Sequence, residues 1–197
     1  MTTIYLDMDG VVADWDARVE EMTGTLRPSR RHQLNQADEY TQWGYDYWEK
    51  IRQNQRIYSQ LPLVPLAQEL AEVARTFRDK LNWNLMFLTA VPRNNDIHWA
   101  FHDKFIWAQK YFPDIPVHFG PYSADKHQHC HPGDILVDDR WSNIEQWTKA
   151  GGIAIHVRSG EIGPAIDKLK GLFNDYVSGE CDILTDYVLA DIKCPFK

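Results

Sequence analysis

Cysteine is scarce in this sequence and poorly placed for cross-linking. The three present, Cys130, Cys181 and Cys194, are odd in number and form no C-x-x-C pair, which argues against a secreted disulfide framework and for a reducing compartment. Positive charge is also in deficit. Lys and Arg total 21 against 28 Asp and Glu, a formal net charge of −7, so a general electrostatic hold on duplex nucleic acid is not expected. Long apolar runs are missing too. Stretches such as Leu85 to Val91 fall far short of the ~20 residues a membrane helix needs. Asp7 and Asp9 stand where a secretory signal would carry its apolar core. A cytoplasmic protein without a membrane partner is therefore expected. No internal repeat or low-complexity segment is visible.

What is present is ordinary in amount and ordered in pattern. The 197 residues are 44% hydrophobic, enough for a core that needs no disulfide or structural metal. Short β-favouring runs at Ile4 to Leu6, Leu85 to Leu88, Val117 to Phe119, Ile135 to Val137 and Ile153 to Val157 mostly lack a polar alternate position. Strands covered on both faces of a parallel sheet read this way.

Helical patterns lie between these runs. Leu66, Leu70, Val73, Ala74, Phe77 and Leu81 form a stripe at the 3.6-residue period, with Pro65 suited to the first turn. A second helix is expected over about 96 to 112, with Ile97, Phe101, Phe105, Ala108 and Phe112 on one side. A third is expected after Arg140, capped by Ser142 or Asn143 and stopped by Gly151-Gly152, and a fourth within Pro164 to Val177. Alternating strands and helices predict a doubly wound, Rossmann-like α/β fold. Residues 1–14 and 62–197 are expected to form its core, and 15–61, rich in polar and aromatic residues, a small helical cap inserted after the first strand. The piece from Ile183 to Leu189 has no assigned place.

Such sheets bind ligands beyond the carboxyl ends of their strands. There the sequence places Asp7-Met8-Asp9 after the first strand, Thr89 after the second, Lys126 after the third and Asp138-Asp139 at the end of the fourth. Converging carboxylates repel unless a cation sits among them, and Mg²⁺, a hard ion, suits oxygen ligands with phosphate. One Asp can then attack phosphorus, a second can serve as acid and later as base, and the hydroxyl and ammonium can hold phosphate oxygens.

Asp7-Met8-Asp9-Gly10-Val11, Leu88-Thr89, Lys126 and Val137-Asp138-Asp139 resemble, in order, the four motifs of the haloacid dehalogenase-like phosphatases. Val11 to Asp14, Leu61 to Pro65, Lys104 to Phe112, Asp125-Lys126 and Asp138 to Arg140 extend the resemblance to the 5'(3')-deoxyribonucleotidases. It covers about residues 3 to 157.

The resemblance implies a Mg²⁺-dependent phosphomonoesterase acting on deoxyribonucleoside monophosphates through an aspartyl-phosphate. It makes Asp7 the nucleophile and a metal ligand, and Asp9 the acid/base and a ligand through its backbone carbonyl. Asp138 becomes the remaining ligand, and Asp139 a support for the metal's waters. Thr89 and Lys126 would bind phosphate, Arg140 the phosphate or sugar, and Trp15 and Trp43 the base. The chain departs from the resemblance at Ala90, where these nucleotidases usually carry Ser.

Other signals have plainer readings. His127, His129, Cys130 and His131 could bind zinc, but no second ligand pair is spaced to complete a site, so a surface helix start or loop is expected. Trp43, Tyr45, Tyr47 and Trp48 fit either a base platform or the interior of the insert. Arg27, Arg30 and Arg31 read as a solvated face, and Asp14 as a helix start. A homodimer is a candidate assembly. The rival readings are a phosphatase for a sugar phosphate or a nucleic-acid end, and a nucleotide-binding relative without turnover.

Overall fold

The computed structural model describes residues 1–24, 48–53, 56–92, 97–158 and 161–179. Arg27, Arg30, Arg31, Trp43, Tyr45, Tyr47 and the piece from Ile183 to Leu189 lie outside the described residues. So does much of the expected cap.

The five expected β runs are the five strands: β1 (Thr3–Leu6), β2 (Asn84–Thr89), β3 (Val117–Phe119), β4 (Ile135–Asp138) and β5 (Ile153–His156). All pair in parallel, in the order β3-β2-β1-β4-β5. The helices are α1 (Trp15–Thr23), α2 (Ala67–Leu81), α3 (Ala100–Tyr111), α4 (Trp141–Lys149) and α5 (Gly163–Ser178). The result is the expected doubly wound α/β architecture. β1 and β4 are fully buried along their length, which is why their sequences show no polar alternation. No helix among the described residues is long and apolar enough to cross a membrane.

Strand order reverses at β1, since β2 and β3 extend to one side and β4 and β5 to the other. The crevice of a doubly wound sheet opens at this switch point. Register there pairs Leu6 with Val137, so Asp7 and Asp138 leave adjacent strands at the same level.

Three local expectations need correction. Asn143 and Ser142 do not cap α4: Arg140 occupies the cap position without a side-chain bond, because the Asn143 amide is committed to Asp138. Leu66, with a left-handed φ of 67°, caps α2 and leaves Pro65 outside the helix. The buried face of α3 is also rotated from the expected one. Phe101 and Phe105 are 38% and 49% exposed, while Ala100, Asp103, Lys104, Trp107 and Ala108 face inward. These five keep helical spacing, so the face is a proper stripe with two charges in it. Trp107 locks the choice by donating its indole N–H to the Leu61 carbonyl at 2.7 Å. Asp14 caps α1 as expected, accepting from the Ala17 amide at 2.9 Å.

Candidate active site

After β1 the chain closes into a tight turn in which the Met8 carbonyl accepts from the amides of Val12 and Ala13 at 2.9 and 2.8 Å. Gly10 is required there. Its φ is +81°, and a Cβ would lie 2.6 Å from Asp139 Oδ2, so any side chain would strain the turn and collide with the carboxylate. The turn keeps Asp7 in the crevice: its amide donates to the Val137 carbonyl at 2.9 Å, and its Oδ1 accepts from the Met8 amide at 2.7 Å.

Lys126, on a 3-10 helix over Ser123–His129, is 1% exposed and bridges Asp7 Oδ2 and Asp138 Oδ2 at 2.7 Å each. Burial pulls its pKa down, but the charges and hydrogen bonds of Asp138 and Asp7 outweigh burial and leave it raised. Asp138 is wholly buried. Its oxygens accept from the Asn143 amide at 2.9 and 3.0 Å and from the Arg140 backbone N–H at 2.8 Å. Burial first, then the charge of Asp7, raises the Asp138 pKa against the opposing pull of Lys126. Asn143 is fixed in turn by the Ser123 hydroxyl, which donates to its Oδ1 at 3.1 Å.

Asp139 completes the cluster. Ligand oxygens of Asp7, Asp138 and Asp139 all lie within 4.8 Å of one another. Burial of the Asp139 carboxyl, with the charges of Asp138 and Asp7, pushes its pKa up to about 8. Three carboxylates against one ammonium leave a deficit of positive charge that a divalent cation would fill, and an all-oxygen donor set selects a hard one. The residues present fit such an ion. Among the described residues this is the one such group of potential ligands. The His127 to His131 segment forms none, and His129 turns its Nε2 to the Gly120 carbonyl at 3.0 Å.

Asp9 lies across the crevice with its carboxylate outside that cluster. Lys104 donates to Asp9 Oδ2 and, at 2.9 Å, to Thr89 Oγ1. Thr89 is fully buried at the end of β2. Asp9 Oδ1 has no hydrogen-bond partner among the described residues. Behind Lys104 stands Tyr58, from a 3-10 helix over Ile57–Gln60, with its ring centroid 4.9 Å from the ammonium. Burial and then the charge of Asp9 hold the Tyr58 phenol well above its ordinary pKa.

Trp15 stacks on Tyr58, with centroids 4.9 Å apart and planes 17° apart, and is 8% exposed. Packing against Tyr58 thus occupies one face of the ring. The Arg140 side chain is exposed at the rim. Trp43 lies outside the described residues. The structure therefore brings Asp7, Thr89, Lys126, Asp138 and Asp139 to one crevice, with Asp9 on its far side.

Sequence reasoning missed Lys104, Tyr58 and Asn143 as site residues. For Lys104 a signal existed, since Asp103 and Lys104 continue the Ala100, Trp107, Ala108 spacing.

Among solved structures, the chain is similar to one described as a beta-phosphoglucomutase from Thermotoga maritima. That similarity has 17% identity and a TM-score of 0.41, covering 87% of this chain and 100% of that one. A hydrolase from Streptococcus pneumoniae TIGR4 is similar at 15% identity and a TM-score of 0.42, covering 87% and 97%. No curated protein matches. The sequence profile of the 5' nucleotidase, deoxy (pyrimidine), cytosolic type C protein family (NT5C) matches residues 1–160. The chain belongs to that family.

Proposed function

We propose that this protein is a Mg²⁺-dependent phosphomonoesterase that releases inorganic phosphate from deoxyribonucleoside monophosphates by way of a phosphorylated Asp7. The observation that carries the reading is the Asp7, Asp138, Asp139 cluster, bridged by Lys126 at the switch point of the sheet. Membership of a nucleotidase family supports the phosphatase class and a nucleotide substrate. The family description also supports a cytosolic location.

In this reading Asp7 and Asp138, with the Asp9 backbone carbonyl, would hold the metal, and Asp139 would lie beside it. The metal supplies charge neutralisation at the phosphate. A carboxylate oxygen of Asp7 forms the bond to phosphorus as the bond from phosphorus to the leaving oxygen breaks. Asp9 gives its proton to that oxygen, and the nucleoside departs as an alcohol. Asp9 then takes a proton from water. The water oxygen bonds to phosphorus, the Asp7 to phosphorus bond breaks, and phosphate leaves. Lys126 and the Thr89 hydroxyl face the phosphate oxygens where charge accumulates. Arg140 reaches the phosphate or sugar from the rim. Trp15, whose ring stacks on Tyr58, would meet the base at its edge.

The test is phosphate release from a panel of ribo- and deoxyribonucleoside monophosphates with Mg²⁺, with Ca²⁺ and with chelator. Release that needs Mg²⁺ and favours deoxyribonucleotides supports the reading. Equal release after exhaustive chelation contradicts the metal, and preference for a sugar phosphate contradicts the substrate.

A further inference from the structure

Lys104 is a lysine with 1% exposure in the middle of α3, and such a charge is costly to bury without a purpose. Its sequence neighbour Asp103, itself wholly buried, is not its counter-ion. Arg56, from the end of the insert, takes that carboxylate at 2.6 Å. The carboxylate left to Lys104 is Asp9, and its second polar contact is Thr89. One ammonium thus holds two groups of the proposed reaction on two different strand ends, while Tyr58 covers it from behind at 4.9 Å.

The contact with Thr89 has a directional consequence. A threonine hydroxyl has one hydrogen to give. By donating to Thr89 Oγ1, Lys104 occupies a lone pair and leaves that hydrogen for another acceptor. The contact with Asp9 engages Oδ2 and leaves Oδ1, a buried oxygen, without a hydrogen-bond partner among the described residues, a buried acceptor that a bound substrate's leaving oxygen would satisfy.

We propose that Lys104 is a positioning residue for leaving-group protonation: it fixes the Asp9 carboxyl so that Oδ1 meets the leaving oxygen, and it sets the Thr89 hydroxyl as a donor. This rests on the assignment of Asp9 as acid and base above.

The experiment compares a deoxyribonucleoside monophosphate, whose alcohol leaves poorly without a proton, with para-nitrophenyl phosphate, whose phenolate leaves readily without one. Wild type, Lys104→Met, Lys104→Gln, Asp9→Asn and Asp9→Asn/Lys104→Met are measured on both, with melting temperature and inhibition by inorganic phosphate. Lys104→Met is expected to lose ~10- to 100-fold more turnover on the nucleotide than on the aryl ester, within the ~10²- to 10⁴-fold range of general acid catalysis. Lys104→Gln should recover part of that difference. The double variant, which buries no unpaired charge, should match Asp9→Asn on both substrates, since the two residues act as a unit.

Equal losses on the two substrates, with weakened phosphate inhibition, would make Lys104 a phosphate ligand and overturn the inference. Leaving-group dependence in Asp9→Asn without any in the Lys104 variants would overturn it while sparing the proposed function. If Lys104→Met does not fold, a double variant that folds and falls well below Asp9→Asn would overturn it as well. Absence of turnover in wild type on either substrate would remove the proposed function and this inference together.

Discussion

The crevice has two walls that manage charge in opposite ways. The strand-end wall crowds Asp7, Asp138 and Asp139 around the one ammonium of Lys126. It is under-neutralised, and burial, with the charges of Asp138 and Asp7, pushes the Asp139 carboxyl up to a pKa of about 8. On the helical wall, built by α3 and the segment carrying Arg56 and Tyr58, each charge has its own opposite: Lys104 has Asp9, and Asp103 has Arg56. The first wall is short of positive charge and so suits a divalent cation, through which it could then receive a phosphate. The second is balanced and suits holding a group still. A buried charge near a site thus signals ligand binding when its neighbours leave it unbalanced, and positioning when they balance it.

That contrast breaks most visibly at Asp7 and Asp9. Asp7→Asn is expected to abolish phosphate release while the protein stays folded, because an amide is a poor nucleophile and a poor metal ligand. Asp9→Asn should retain a residue of activity, reduced ~10²- to 10⁴-fold. Steady-state rates and far-ultraviolet circular dichroism check both.

The charge deficit itself is tested by stability. Lys126→Met leaves Asp7 and Asp138 buried without their counter-ion, a loss of about 3 to 5 kcal/mol for a broken buried pair. Mg²⁺ should restore much of it, since the ion supplies the missing charge. Arg56→Met, which strips Asp103 of its partner on the balanced wall, should lower the melting temperature with no recovery in Mg²⁺. Thermal melts with and without the ion compare the two. Equal rescue of both variants would erase the distinction between the walls.

Trp15→Ala probes the edge of the helical wall. Loss of the stack on Tyr58 should lower the melting temperature. If Trp15 also meets the base, KM should rise more for a nucleotide than for para-nitrophenyl phosphate, by up to the ~1 to 3 kcal/mol of a base stack. A parallel loss on both substrates would leave Trp15 a packing residue alone.

The smallest effect lies outside the crevice. Asp114 accepts from Arg75 and Arg78 at 2.7 to 2.8 Å, and these hydrogen bonds, that of Arg75 foremost, depress its pKa below the ordinary carboxylate range. A depressed carboxyl contributes stability above its unfolded pKa near ~4 and loses it as pH falls toward the folded value. Asp114→Asn should therefore lower stability slightly at neutral pH and not in strong acid. Denaturation midpoints across that range check it, and neither wall of the crevice should be affected.

The two walls also differ in how far the sequence discloses them. A parallel strand buried on both faces must be apolar, so a polar residue at its end stands out: Asp7, Thr89 and Asp138 mark their strands, and the topology brings them together. A helix discloses less. Asp103 and Lys104 in a helix normally signal the solvent side, which shifted the expected face of α3 onto Phe101 and Phe105. What turned it was partners distant in sequence, Arg56 and Asp9, which no local period contains. Asn143 was misread for a similar reason. Its position after a strand suits a cap, and only the spatial approach of Asp138 shows where its amide goes. Trp15 and Tyr58 are aromatic for packing and for recognition alike, and composition does not separate the two.

Phosphorylation of Asp7 is open to direct observation by rapid acid quenching. Wild-type protein mixed with a deoxyribonucleoside monophosphate and Mg²⁺, quenched within one turnover and digested, should yield the peptide bearing Asp7 heavier by one phosphoryl group. That group should be released by hydroxylamine and be missing from Asp7→Asn. An enzyme that releases phosphate while this peptide stays unmodified at every quench time, or that carries the label elsewhere, would contradict the account.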